Sequence, residues 1–75
     1  MADAELDATG LKCPMPVLRA RRALKPLAAG QVLRLLADDP ASVKDVPAFC
    51  ETTGHALLGT EQDGATFVFL IAKAA

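Results

Sequence analysis

The chain has no tryptophan and no tyrosine, and three phenylalanines are its whole aromatic complement over 75 residues. Single-stranded nucleic acid is held on successive aromatic side chains, and this sequence has no such platform. It also lacks an excess of either charge: eight Lys and Arg stand against nine Asp and Glu, for a formal net charge of −1. A general polyanion binder needs a large positive excess, so no direct nucleic-acid partner is expected. No apolar run approaches the roughly 20 residues of a membrane span. The first residues, Met1-Ala2-Asp3-Ala4-Glu5, have neither the basic start nor the apolar stretch of a signal peptide. Cysteine and histidine are scarce as well: Cys13, Cys50 and His55 are all there is. That is too little for a disulfide framework and short of the four or so ligands of a zinc site. The expectation is a cytoplasmic protein with reduced thiols, no membrane, no metal and no cofactor.

What is present is a core. Hydrophobic residues make up 52% of the chain, enough for one small domain over residues 1–75. Residues 4–8 alternate and suit a short strand with Leu6 and Ala8 inward. Pro14 to about Leu27 reads as a helix, with Val17, Ala20, Leu24, Leu27 and Ala28 on one face. Residues 31–37 are almost continuously apolar and predict an interior strand, closed by Asp38-Asp39-Pro40. A second helix follows. Ser42-Val43-Lys44-Asp45 fits a capping box, but Pro47 would then lie just beyond the tolerated first turn, so a start near Asp45 is preferred, with Gly54 as the stop. Residues 55–62 and 65–73 read as strands joined at Asp63-Gly64, a hairpin signal. The order β-α-β-α-β-β predicts an α+β two-layer sandwich: a four-stranded mixed sheet with two helices on one face, both helices serving as parallel crossovers. The other face would leave Val32, Leu36, Val68 and Leu70 partly exposed.

The stretch that carries chemistry is Gly10-Leu11-Lys12-Cys13-Pro14-Met15-Pro16. Proline is tolerated in the first helical turn, where its missing N–H has no partner to lose. The two prolines therefore fix the start of a helix and put Cys13 at or next to its N-cap. A thiol at a helix N-terminus is more readily a thiolate, and Lys12 beside it works in the same direction. Cys13 then reads as a nucleophile; as plain structure it would be a small apolar cap, for which cysteine is a poor choice. With Pro16 where a second cysteine would stand, dithiol exchange within this motif is impossible. A Cys–His pair with His55 would need far more scaffold, and His55 reads as a strand-edge structural residue. Cys50, after Phe49, reads as packing. Met15 and Leu18, framed by Arg19 and Arg22, form either a patch on which another protein docks or the margin of a wide buried stripe with a solvated basic face. One activated thiol, with neither substrate pocket nor catalytic base, suits a carrier: a lone thiolate can take the outer sulfur of a donor's persulfide and pass it on.

The chain resembles the TusA/SirA/YedF-like sulfur-carrier proteins over nearly its whole length. The matching residues are Leu6-Asp7, Gly10 to Pro16 with the Cys-Pro-x-Pro motif, Gly30, Asp38-Asp39-Pro40, Asp45 to Cys50, Gly54-His55, Leu57 and Phe69 to Lys73. The resemblance implies the same two-layer fold and a persulfide on Cys13 as the working intermediate. It further implies a cysteine desulfurase or a rhodanese as donor and a downstream relay protein as acceptor, in tRNA thiolation, molybdenum-cofactor-related chemistry or sulfur oxidation. In the family's TusA branch the second cysteine is common and is not the carrier. Two readings of other classes stay open from residues alone: a regulatory protein-binding module using the basic helix, and a redox switch through Cys13 and Cys50.

Overall fold

The computed structural model describes residues 2–75, in the order β1 (Ala4–Asp7), α1 (Met15–Leu24), β2 (Val32–Ala37), α2 (Ser42–Thr53), β3 (Ala56–Asp63) and β4 (Thr66–Ala72). The strands form one sheet in the order β1-β2-β4-β3. β1 runs parallel to β2, from Ala4 opposite Leu33 to Asp7 opposite Leu36. β4 is antiparallel to both of its neighbours. β2 and β3 therefore point the same way, as a crossover through α2 requires, but β4 lies between them rather than the two pairing directly.

Alternation decides the layers. Leu33, Leu35 and Ala37 of β2 are fully buried, and their cross-strand partners Ile71, Phe69 and Phe67 share that face. The helices cover it with Ala20 and Leu24 from α1 and Val46, Phe49 and Cys50 from α2. Each large apolar side chain buried there contributes roughly 1.5–3 kcal/mol, and this cluster holds the layers together. On the opposite face lie Arg34, Leu36, Val68 and Leu70, paired by register, with Val32. Of these only Val68 is buried. The Arg34–Glu5 ion pair (2.6 Å) lies on the same exposed face.

Two helix boundaries differ from expectation. α1 is shorter than Pro14–Leu27: Pro14 is its N-cap, Lys25 its C-cap, and the chain then turns so that Ala28 is exposed. α2 starts at Ser42, not near Asp45. Turn bonds from Ser42 N–H to the Asp39 carbonyl (2.9 Å) and from Val43 N–H to the Pro40 carbonyl (3.2 Å) run directly into the helix. Val46 is anchored in the core on the next turn, so Pro47 is carried inside the helix at the loss of one backbone hydrogen bond. Ala41 rather than Ser42 is the N-cap and the Ser42 N–H is given to the Asp39 carbonyl, so no capping box forms and the Asp45 carboxylate meets another partner. Gly54 ends α2 as expected, with φ +84° in the left-handed region and its N–H on the Cys50 carbonyl (2.9 Å).

Candidate functional site

Because β1 and β2 are parallel neighbours, their C-terminal ends open on the same edge of the sheet, and the segments that follow them run side by side. Ala8 N–H extends the pairing onto the Leu36 carbonyl (2.8 Å). Beyond it the contacts pass to side chains: Gly10 N–H donates to Asp38 Oδ1 (2.9 Å) and Cys13 N–H to Asp39 Oδ2 (2.7 Å). Asp38-Asp39 thus clasps the cysteine loop. Gly10 needs its glycine, since φ is +82°. Asp39 also accepts from Ala41 N–H at 3.3 Å. The Cys13 and Ala41 amides hold the Asp39 carboxyl below the usual carboxylate range, helped by the charge of Lys12. On the helix side, Pro16 is buried and pins the first turn of α1 against the body.

The sulfur itself is exposed, and its Sγ lies 2.8 Å from Asp45 Oδ2, to which the thiol donates. This overturns the expectation of a ready thiolate. The hydrogen bond to Asp45 pushes the Cys13 thiol upward, reinforced by desolvation and by the negative charges of Asp45 and Asp39. The helix terminus does not compensate, because its nearest donors are spent or missing. The amide of Cys13 is given to Asp39 and that of Met15 to the Lys12 carbonyl (2.8 Å), while Pro14 and Pro16 have none. The charge of Lys12 adds to the lowering at Asp39, but among the described residues the two make no ion pair.

Between α1 and α2, beside the sulfur, opens a groove of ≈ 360 Å³ whose floor includes Val17, Ala48 and Phe49, with Arg21 and Asp45 as its charged residues. Neither this groove nor the Asp45 contact was anticipated. Asp45 and Cys13 are 32 residues apart, and the only sequence signal was an acidic residue near the head of the second helix. The exposed basic face does form: Met15 (36% exposed), Leu18 (50%), Arg19 and Arg22 all face outward, which removes the buried-stripe alternative for Leu18. The other cysteine does not join them. Cys50 is buried against Val46 and Phe49, and desolvation pushes its thiol up. His55 is structural, as expected: its ring stands 5.6 Å from that of Phe49, and Nδ1 accepts from Ala74 N–H (2.8 Å). Among the described residues no helix is long and apolar enough to cross a membrane.

This two-layer sheet-and-helix body has a counterpart of the same fold among solved structures. A crystal structure of a SirA-like protein from Desulfitobacterium hafniense matches with a TM-score of 0.82 and 32% identity, over 96% of this chain and 99% of that one. The chain belongs to the sulfurtransferase TusA family, which its residues 4–73 match. It is 51% identical to the sulfur carrier protein TusA of Allochromatium vinosum over 71 residues, 95% of this chain and 93% of that protein. It is 47% identical to that of Pseudomonas entomophila over 73 residues, 97% and 91% of the two chains. Sulfur carriage, between a protein that gives sulfur and one that takes it, is the role this membership supports.

Proposed function

We propose that the protein carries sulfane sulfur as a persulfide on Cys13. The observation that carries this reading is the contrast between the two thiols: Cys13 is exposed on a clasped, proline-bracketed loop, whereas Cys50 is buried in the core. Sulfur enters from a donor persulfide R–S–SH supplied by a cysteine desulfurase or a rhodanese. A bond forms between Cys13 Sγ and the outer sulfur, the donor's S–S bond breaks, and the electron pair leaves on the donor sulfur. The proton that Cys13 gives up ends on that leaving thiolate, so Cys13–SH and R–S–SH become Cys13–S–SH and R–SH with no net oxidation. The same exchange in reverse hands the sulfur to an acceptor thiol in a relay toward tRNA thiolation, molybdenum-cofactor-related chemistry or sulfur oxidation. A reducing, cytoplasmic setting is part of the proposal, since Cys13 must meet its donor as a free thiol.

Lys12, Pro14 and Pro16 serve as support, through charge balance on Asp39 and a fixed loop that lowers the ordering cost of docking. Met15, Arg19 and Arg22 are the proposed partner contacts. The test is intact mass spectrometry after incubation with a cysteine desulfurase and cysteine. Wild type gains about 32 Da, the mass of one sulfur atom transferred to a thiol, and Cys13→Ser gains nothing. An adduct on both proteins would move the reactive thiol to Cys50. Absence of any adduct, with a rhodanese donor failing too, would favour a binding module.

A further inference from the structure

We propose that Asp45 is a gate on the carrier sulfur: it parks the empty Cys13 as a neutral thiol, and once sulfur is loaded it turns the outer sulfur away from α2 toward solvent. The inference rests on the persulfide reading and assigns a residue to it. Two geometric facts carry it. The Cys13 Sγ to Asp45 Oδ2 contact is 2.8 Å, so the thiol proton is already committed to a carboxylate before any partner arrives. The same contact leaves no gap for a second sulfur, whose bond to Sγ alone is about 2.05 Å long. The loaded group must therefore leave that direction, and the exposure of Cys13 gives it an open one.

Charge acts in the same sense at both stages. The charged groups around Cys13 are Asp45 from α2, Asp39 from the loop after β2 and Arg21 of α1 in the adjoining groove, while Asp38 holds the Gly10 amide of the same loop and Lys12 precedes the cysteine. Arg21 shares the groove with Asp45, and Asp45 is the carboxylate in direct contact with the sulfur. An empty carrier whose thiol stays protonated is protected, because the thiolate is the species that oxidises, alkylates and exchanges. A persulfide is more acidic than the parent thiol and is an anion near neutral pH, where the same carboxylate repels it. One residue thus makes the empty carrier quiet and the loaded carrier outward-facing. A donor that draws the Asp45 carboxylate aside as it docks would release the nucleophile at the moment of transfer.

The test is the pH profile of Cys13 alkylation by iodoacetamide, read site by site by peptide mass mapping, in the wild type, Asp45→Asn and Asp45→Glu. The wild-type midpoint is expected above the ordinary thiol value. Asp45→Asn should move it down and raise the rate near neutral pH by about three- to tenfold, and Asp45→Glu, which keeps the carboxylate, should retain part of the upward shift. In the persulfidated proteins the effect should reverse: alkylation of the outer sulfur should be about twofold or more slower in Asp45→Asn than in wild type, because without the carboxylate's charge that sulfur is no longer turned away from α2. Titration of the Cys13 Cβ chemical shift in the wild type decides the first point without any variant, should Asp45→Asn fold poorly. A wild-type midpoint at or below the ordinary thiol value, no shift in Asp45→Asn, or equal effects on empty and loaded forms would each overturn the gate. If Cys13 loads sulfur and the profiles do not move, the gate alone is wrong. If the profiles move and no sulfur is ever loaded, the carrier reading is wrong while the contact stands.

Discussion

Asp39 ties the cysteine loop to the loop that leads into α2. Its Oδ2 accepts from the backbone of Cys13 and its Oδ1 from Ala41. Both bonds favour the ionised form, so its pKa is lower in the folded protein than in the unfolded chain. Folding stability from Asp39 is therefore fully present above the ordinary carboxylate pKa and is lost as pH falls through the lowered folded value. Asp7 contributes with the same sign through its bonds from Thr9 N–H (3.0 Å) and Oγ1 (2.6 Å). The expected outcome is a urea midpoint that declines between about pH 5 and pH 3, and declines less steeply in Asp39→Asn. Asp39→Asn should also slow sulfur loading, since the amide weakens the clasp that holds Cys13 in place; equal loading rates in the two proteins would show that the loop needs no clasp.

At the scale of elements, α1 is held at its two ends by different parts of the chain. Its head is fixed by buried Pro16 and the Asp39 clasp, its tail by Lys73 just after β4. Lys73 Nζ donates to the carbonyls of Leu24 (2.7 Å), Lys25 (3.2 Å) and Leu27 (3.2 Å). These carbonyls lie at and just beyond the end of α1, where a cation also meets the negative end of the helix dipole. Lys73→Met keeps the apolar stem and removes the charge and all three bonds. It should lower stability by about 1–2 kcal/mol, measured by urea denaturation. Cys13 lies at the other end of a helix about 15 Å long, so its alkylation rate should stay at the wild-type value. A parallel loss of loading in Lys73→Met would show instead that the whole helix moves as one lever on the site.

For the whole molecule, a net charge of −1 conceals a division. Arg19, Arg22 and Lys25 are exposed on α1, and Leu18, Arg21, Arg22 and Lys25 line a second, shallow depression along it. Asp38, Asp39 and Asp45 gather around the cysteine loop, on Gly10, the Cys13 amide and the Cys13 sulfur in turn. On the proposed docking along α1, the basic face would steer a sulfur donor, and steering of this kind appears in the association rate and weakens with salt. Arg19→Glu with Arg22→Glu should cut the loading rate at low ionic strength by about tenfold or more and flatten its salt dependence. Loading at saturating donor should remain, because neither arginine touches the sulfur. An unchanged rate would place the docking face elsewhere.

The sequence by itself determined the order of elements, the layer architecture, the exposed place of Cys13 before α1 and the outward basic face, because each depends on spacing along one element. The nearly continuous apolar run of residues 31–37 placed β2 inside the sheet, and the proline pair marked where α1 begins. The start of α2 was misjudged because Pro47 was weighed locally, whereas turn bonds from Asp39 and Pro40 and the burial of Val46 outweigh one missing hydrogen bond. Only the tertiary structure decided the protonation of the sulfur. A helix N-terminus considered alone promises donors for an anion. The fold spends those donors on Asp39 and Lys12, and brings Asp45 to the thiol from 32 residues away. Two parallel strands that end on one edge make that meeting, and no pattern along the chain encodes it.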